Sequence, residues 1–227
     1  MKVNQLKRTV IGLAITLLLL ATAGVADQSV ATSAQEAVTN DQSNAVYVAH
    51  LSALNTTVTG RAATGEVRFV IKGDSLTITV DARGLPKNIT HWQHFHGFID
   101  GQQSNCPTRA ADANGDGIID LIETEPMAGT TMVPFHSDPV SIDVPRDTYP
   151  KATATGMLQY RKTVSLRALQ GAFGKAFNGQ KLDLDRRVVF IHGVPIATTL
   201  PASVASLGTI PAQVTLPIAC GKITRLK

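Results

Sequence analysis

Apolar and polar residues alternate along residues 75–82, which predicts a β-strand with one packed face and one face in water. Residues 46–51 and 66–72 are further short runs rich in Val, Ile and Phe. Gly73-Asp74 separates residues 66–72 from residues 75–82 and is a typical hairpin turn signal. Similar runs recur at residues 140–144, 155–160, 187–192 and 214–223. The pattern therefore predicts an antiparallel, all-β fold.

One segment has a helical period instead. Four large apolar residues recur at helical spacing after Ser165, a residue type that often caps helices: Leu166, Leu169, Phe173 and Phe177. We expect one short helix packed on the sheet. Residues 193–219 carry no charge and contain four prolines, which predicts a long packed connection that ends in the last strand.

The first 26 residues have the organisation of a secretory signal peptide. Lys2, Lys7 and Arg8 precede an uncharged apolar run, and small residues follow near Ala23 and Ala26. A membrane anchor is the alternative, but the run is shorter than the roughly 20 residues that span a bilayer. We expect signal cleavage to leave no transmembrane anchor and the protein to be exported, to a periplasm or the extracellular space.

Residues 27–44 are rich in small and polar residues and predict a flexible leader to a single domain over residues 45–227. Signal cleavage removes three positive charges, which lowers the formal net charge from +4 to +1. So small a charge gives no indication of nucleic-acid binding. The chain also lacks the GxSxG, HExxH and phosphate-loop motifs, so a hydrolase has little support.

The two cysteines, Cys106 and Cys220, predict a disulfide in a protein that leaves the reducing cytosol. Two free thiols or a pair of metal ligands are the alternatives, and the absence of a CxxC spacing disfavours them. The bridge would tie the C-terminal end to the middle of the chain.

Residues 112–123 match every ligand position of an EF-hand calcium loop. Side-chain oxygens fill positions 1, 3, 5, 9 and 12, and a backbone carbonyl serves position 7: Asp112, Asn114, Asp116, Asp120, Glu123 and Ile118. Gly117 permits the sharp turn at position 6. The alternative is an acidic solvated turn. Pro107 and Pro126 flank the loop, so we expect no pair of flanking helices, and a structural calcium site rather than a sensor.

Histidines are concentrated in residues 91–96. In an extended chain, His94 and His96 point to the same face and can share one metal ion. His192 ends another apolar strand, and three imidazoles on facing strands would suit copper or zinc. The alternative is a hydrogen-bonded polar cluster, while an isolated residue such as His136 more often has a structural role.

The order of these motifs resembles the copper/zinc superoxide dismutase superfamily and its non-enzymatic relatives with the CHRD-type β-domain. The His91-x-x-His94-x-His96 spacing is similar to the copper strand of that family. Cys106 follows at a similar distance, and the residues around Cys220 resemble the second half of the family's disulfide motif. The resemblance covers roughly residues 46–223.

The resemblance implies a Greek-key β-sandwich or flattened barrel. It places His192 where a further copper ligand is expected, so His94, His96 and His192 would form a mononuclear copper site capable of superoxide chemistry. No catalytic residue beyond these ligands is implied.

Two departures from the family pattern bear on activity. The calcium loop occupies the region of the zinc ligands, with Asp112 near the position of the bridging histidine, so the zinc site is expected to be absent; His136 is a weak replacement. Pro217 stands near the position of the arginine that attracts superoxide, and no Lys or Arg lies between His192 and Cys220. A non-catalytic, calcium-stabilised extracellular binding or structural module is therefore the alternative function.

Overall fold

The computed structural model describes residues 44–226. The signal peptide expected at residues 1–26 lies outside the described residues, as does the leader expected at residues 27–44 except for Asn44. Within the described part, no helix is long and apolar enough to cross a membrane.

Eight strands make up the sheet in the described residues: β1 (Asn44–Ala53), β2 (Thr64–Lys72), β3 (Ser75–Arg83), β4 (Gln93–Gly97), β5 (Thr130–Pro134), β6 (Leu158–Ser165), β7 (Val188–His192) and β8 (Pro217–Arg225). Their spatial order is β5-β4-β7-β8-β1-β2-β3-β6, and all neighbours are antiparallel. Long connections bring β6 beside β3 and β7 beside β4, as in a Greek key. The predicted all-β class is confirmed.

The sheet curls around one apolar core to which all eight strands contribute. Phe69 on β2 contacts Phe135, which directly follows β5, with ring centroids 5.8 Å apart. Phe135 also stacks on Tyr160 of β6. Because β2 and β5 lie far apart in the strand order, these contacts require the two halves of the sheet to face each other.

The alternation along β3 determines which of its faces is packed. Leu76, Ile78 and Val80 are buried, whereas Ser75 and Asp81 are exposed. In the pairing with β2, Ile78 lies opposite Phe69. A shift of one residue in this register would move the apolar set into water, so the burial of one face specifies the pairing.

Short helices fill the connections: α1 (Thr56–Thr59), α2 (Leu121–Ala128), α3 (Leu166–Ala176) and α4 (Ala212–Thr215), with 3-10 turns at Arg109–Ala111, Pro139–Ser141 and Leu184–Arg186. The helix predicted after Ser165 is α3. The Ser165 hydroxyl accepts a hydrogen bond from the Ala168 N–H, and Leu169 and Phe173 are fully buried. An N-terminal cap and an apolar stripe thus fix α3 on the sheet.

Three expectations about the strands differ from the structure. Residues 140–144 are not a strand; residues 140 and 141 belong to the 3-10 turn at Pro139–Ser141, and Ile142 has a positive φ of 55°, which an extended strand excludes. Strand β5 was missed because its five residues end in a proline and carry no clean alternation. The strands expected at residues 155–160 and 214–223 begin later, at β6 and β8.

A buried arginine directly precedes strand β7. The Arg187 side chain is fully buried and donates hydrogen bonds to the Leu182 carbonyl at 3.0 Å and to the Gln180 side chain at 2.9 Å. Its guanidinium lies 5.6 Å from the centroid of the Phe173 ring. Burial lowers the pKa of Arg187. These contacts fix the start of the strand that ends at His192.

The predicted disulfide between Cys106 and Cys220 is confirmed. It joins the connection after β4 to β8 across a separation of 114 residues, and its Cα atoms lie 5.8 Å apart. The bridge therefore attaches the connection after β4 covalently to β8.

Candidate metal centre

Strands β4 and β7 bring three histidines together. The two strands pair with His94 opposite Phe190 and Gln93 opposite Ile191, which places His192 at the end of β7 beside the β4 histidines. One nitrogen from each of His94, His96 and His192 lies within 4.8 Å of the other two. All three side chains are buried. The structure thus brings together the three residues expected from the sequence.

Backbone carbonyls orient two of the imidazoles. His96 Nδ1 lies 3.0 Å from the Gly129 carbonyl oxygen, and His192 Nδ1 lies 2.7 Å from that of Thr215, at the end of α4. A neutral imidazole that donates from Nδ1 keeps a lone pair on Nε2. Both residues can therefore present Nε2 as a ligand.

The geometry of the cluster fits a metal ion. His192 Nε2 is buried and, among the described residues, has no hydrogen-bond partner. His94 Nδ1 lies 3.0 Å from His96 Nε2. Two nitrogens bound at about 2.0–2.1 Å to one ion are roughly 3 to 4 Å apart, so the spacing within the cluster is close to what a shared ion requires. A donor set of three imidazoles suits copper or zinc.

Burial keeps the three imidazoles neutral. It lowers the pKa of His96 to about 4 and that of His192 to about 3, and it lowers the pKa of His94 well below its ordinary value. Protonation of a neighbouring imidazole would further oppose the charged form of His94. Neutral imidazoles have the lone pairs that a metal needs.

This gives a prediction for the metal-free protein. The folded-state pKa of His96 is below its unfolded value of about 6.5. Its contribution to the free energy of unfolding is therefore fully present above pH 6.5 and is lost as the pH falls toward 4. At pH 5, His96 alone is expected to lower the free energy of unfolding by on the order of 2 kcal/mol. Urea unfolding between pH 7 and 5 measures this.

The control for the pH prediction is His50, whose side chain is 77% exposed. His50→Gln should keep the pH dependence, whereas His96→Gln should make it shallower. A free energy of unfolding that is constant between pH 6.5 and 5 would contradict a neutral, buried cluster.

Two other histidines lie outside the cluster. Both ring nitrogens of His91 lie 2.9 Å from carbonyl oxygens, those of His192 and Pro86. His91 therefore contacts the backbone of the candidate ligand His192. His136 Nε2 lies 2.8 Å from the Asp143 carbonyl, and its Nδ1 accepts the Asp138 N–H. His136 is therefore structural, and the structure does not support it as a replacement ligand.

The cluster lies at a pocket of about 400 Å³, called the histidine pocket below. Besides the histidines, its largest lining side chains are Trp92, Leu121, Ile122, Glu125, Val144 and Leu207. Ile122 and Leu207 are 54% and 50% exposed. Trp92 stacks on Tyr149 with ring centroids 5.5 Å apart. The walls around the candidate ligands are thus largely apolar, which sequence reasoning did not predict.

No Lys or Arg lines the histidine pocket among the described residues, and Glu125 adds a carboxylate. Pro217 pairs with His192 at the start of β8 and adds no charged side chain beside the cluster. Within residues 44–226, the pocket therefore contains no cation to attract an anionic substrate.

The loop over residues 112–123 is held by hydrogen bonds between its own side chains and backbone. Asp112 accepts the N–H groups of Gly115 and Gly117, and Glu123 accepts those of Ala113 and Asn114. Among the described residues, the three histidines form the converging group of ligand atoms, and the loop carboxylates do not form another. Asp112 lies in this loop and does not join the histidines.

The flanking prolines predict that no pair of helices encloses the loop, and the structure has a helix on its C-terminal side. Helix α2 begins at Leu121, and a capping box joins Asp120 and Glu123 at its N-terminus. The helix continues through Pro126, and the Gly129 carbonyl that follows it faces His96. Helix α2 also supplies Leu121, Ile122, Thr124 and Glu125 to the pocket. The acidic loop and the histidine cluster are therefore linked by one short helix.

The fold and the cluster together define an all-β domain with a three-histidine site compatible with copper binding. No family model matches the chain. No curated protein matches it either. Among solved structures, the chain is similar to Cu/Zn superoxide dismutase from Brucella abortus, with 17% sequence identity over 79% of this chain and 99% of that chain and a TM-score of 0.41. These comparisons do not assign the chain to a family.

Proposed function

We propose that this protein binds one copper ion through His94 Nδ1, His96 Nε2 and His192 Nε2. The observation that carries the proposal is the convergence of three buried, neutral imidazoles, one of which leaves Nε2 without a partner among the described residues. A buried polar atom without a partner is costly unless it has a ligand. Copper is favoured over zinc because the His-x-x-His-x-His spacing resembles a copper strand.

The residues of the chain prepare the ligand set before metal arrives. The Gly129 and Thr215 carbonyls hold the Nδ1–H tautomers of His96 and His192. His94 must carry its proton on Nε2 to offer Nδ1, so its contact with His96 Nε2 would be replaced on binding. When bound, copper would supply one-electron redox chemistry, and the histidine pocket would admit the reacting molecule.

Metal analysis of the oxidised protein, prepared with copper, zinc and calcium available, tests the proposal. We expect one copper per chain and an electron paramagnetic resonance spectrum of Cu(II) with nitrogen couplings from imidazoles. Absence of stoichiometric copper would overturn the proposal. Superoxide dismutation measured on the same sample is expected to be slow for a copper site, because the pocket has no cation and contains Glu125.

The second candidate is a non-catalytic extracellular module stabilised by calcium and the disulfide. The absence of Lys and Arg from the described pocket lining favours it over an efficient dismutase. The two candidates differ in copper titration. A structural module would bind no tight stoichiometric copper, and His94→Ala would leave its metal content unchanged.

We also propose that residues 112–123 bind calcium. The support is the complete set of EF-hand ligand positions, the positive φ of 84° at Gly117, and helix α2, which starts just after position 9 of the loop. Calcium would compete with backbone N–H groups for the Glu123 carboxylate. A single loop without a helix pair favours a structural role.

Calcium is therefore expected to raise thermal stability. At a free concentration of 100 times its Kd, a ligand of the folded state adds about 3 kcal/mol, which corresponds to roughly 6–12 °C in Tm for a domain of this size. Differential scanning calorimetry with calcium or with a chelator measures the shift. Glu123→Gln should remove most of it, whereas Asp81→Asn, on the exposed face of β3, should keep it. Equal melting in calcium and chelator would contradict the calcium site.

Export is proposed from the N-terminal pattern, and the Cys106–Cys220 disulfide fits an oxidising compartment. Mass spectrometry of the natural protein tests it. A mature N-terminus near residue 27 is expected, and retention of residues 1–26 in the mature protein would contradict it.

A further inference from the structure

The histidine pocket is larger than a diatomic substrate requires. Its volume of about 400 Å³ is within the lower part of the range of roughly 300–1,000 Å³ that is typical of small-molecule sites. Superoxide would occupy a small fraction of this space. The pocket therefore has room for an organic molecule of modest size above the histidines.

The walls favour an apolar body. Leu121 and Val144 contribute aliphatic surface. Ile122 and Leu207 are 54% and 50% exposed. Burial of such exposed apolar surface by a ligand is favourable. A purely polar or strongly hydrated occupant would leave the apolar lining of the pocket in contact with water or with polar groups.

The charge of the lining favours a cation over an anion. Apart from the histidines, Glu125 is the titratable residue among the described lining residues, and no Lys or Arg is present to balance it. Trp92 adds an aromatic ring, which attracts ammonium groups through its π face. Four threonines supply neutral hydroxyl groups: Thr124, Thr130, Thr131 and Thr215.

From these observations we propose that the histidine pocket binds a small organic amine with an apolar body. The ammonium group interacts with Glu125, and the body packs against Trp92 and Leu207. The inference deepens the proposed function, since it names a ligand class for the site proposed to hold copper. The pocket itself does not require copper in order to bind the amine.

Three ligands of nearly equal size test the proposal: benzylamine, benzyl alcohol and benzoate, which are cationic, neutral and anionic at pH 7. Trp92 is the single tryptophan of the chain, so its fluorescence reports directly on the pocket. Titrations use the full mature protein without copper, with calorimetry as a second readout. Benzylamine should bind about threefold to fivefold more tightly than benzyl alcohol, and more tightly than benzoate by a factor of about ten or more.

Two variants locate the interaction. Glu125→Gln should bring the affinities for benzylamine and benzyl alcohol to within about twofold of each other, because it removes the charge and keeps the size. Leu207→Ser should weaken the binding of all three ligands. Asp81→Asn, an equivalent change of an exposed acid outside the pocket, should change none of them.

The proposal is overturned if benzoate binds as tightly as benzylamine, if Glu125→Gln keeps the preference for the amine, or if none of the three ligands changes the fluorescence or releases heat. Repeating the titration on copper-loaded protein separates this proposal from the proposed function. Amine binding in a protein that takes up no copper would refute the copper site alone, and copper uptake without amine binding would refute the ligand class alone.

Discussion

His192→Ala is expected to abolish stoichiometric copper binding. The substitution removes one of three nitrogen ligands and takes away the buried Nε2 that has no partner among the described residues. Loss of a residue that only supports a metal ligand already costs about 10- to 100-fold in affinity. Loss of a ligand itself should therefore lower copper affinity by well over 100-fold, measured by competition with a chelator of known affinity.

The matched control is a histidine outside the cluster. His50→Ala changes an exposed imidazole that is close to Glu66 on the neighbouring strand, and it should leave copper affinity unchanged. Circular dichroism and thermal melting establish that the His192→Ala protein is folded. If folded His192→Ala protein keeps one tightly bound copper, then β7 does not contribute to the site and the ligand set proposed here is wrong.

Removal of the disulfide is the change with the largest expected effect on stability. The bridge closes a loop with a sequence separation of 114 residues that contains β5, β6 and β7, and with β7 the candidate ligand His192. The chain-entropy model gives such a bridge about 4–5 kcal/mol. The double variant Cys106→Ala, Cys220→Ala should lower Tm by roughly 10–20 °C.

Guanidinium unfolding of the oxidised protein, the reduced protein and the double variant measures this effect. The reduced protein and the double variant should unfold at similar, lower denaturant concentrations. An oxidised protein no more stable than the double variant would show that the unfolded chain is already restricted by other contacts.

Local pattern predicts β1, β2, β3 and α3, because each of these elements has its own periodicity and its own boundary signal. The alternation along β3 and the Ser165 cap before α3 are examples. Strand β5 has no such signal; it is a strand because β4 pairs with it through residues such as His94 and Phe95. Its burial comes from tertiary packing, which sequence periodicity does not report.

Helix α2 shows how two local signals can conflict. Pro126 suggests that a helix cannot cross this point, since proline lacks an N–H donor and crowds the preceding turn. The Asp120 and Glu123 capping box favours a helix that starts at Leu121. The structure keeps the helix, in which Pro126 is exposed, so the capping signal was the better guide.

The candidate site was predictable only in its ligands. The spacing of His94 and His96 places both on one face of a strand, whereas the position of His192 depends on the pairing of β4 with β7. The Gly129 and Thr215 carbonyls that orient the imidazoles are backbone groups, so no side-chain pattern marks them. The lining from α2 was missed for the same reason that the helix was missed.

Helix α2 also connects the two proposed metal sites. Its first turn contains Glu123 of the acidic loop, and the residue after its last turn, Gly129, is hydrogen-bonded to His96. Any change in calcium affinity caused by copper must equal the change in copper affinity caused by calcium, because binding free energies form a closed cycle. A shift of the Gly129 carbonyl on calcium binding would therefore make the copper affinity of the proposed site depend on the calcium concentration.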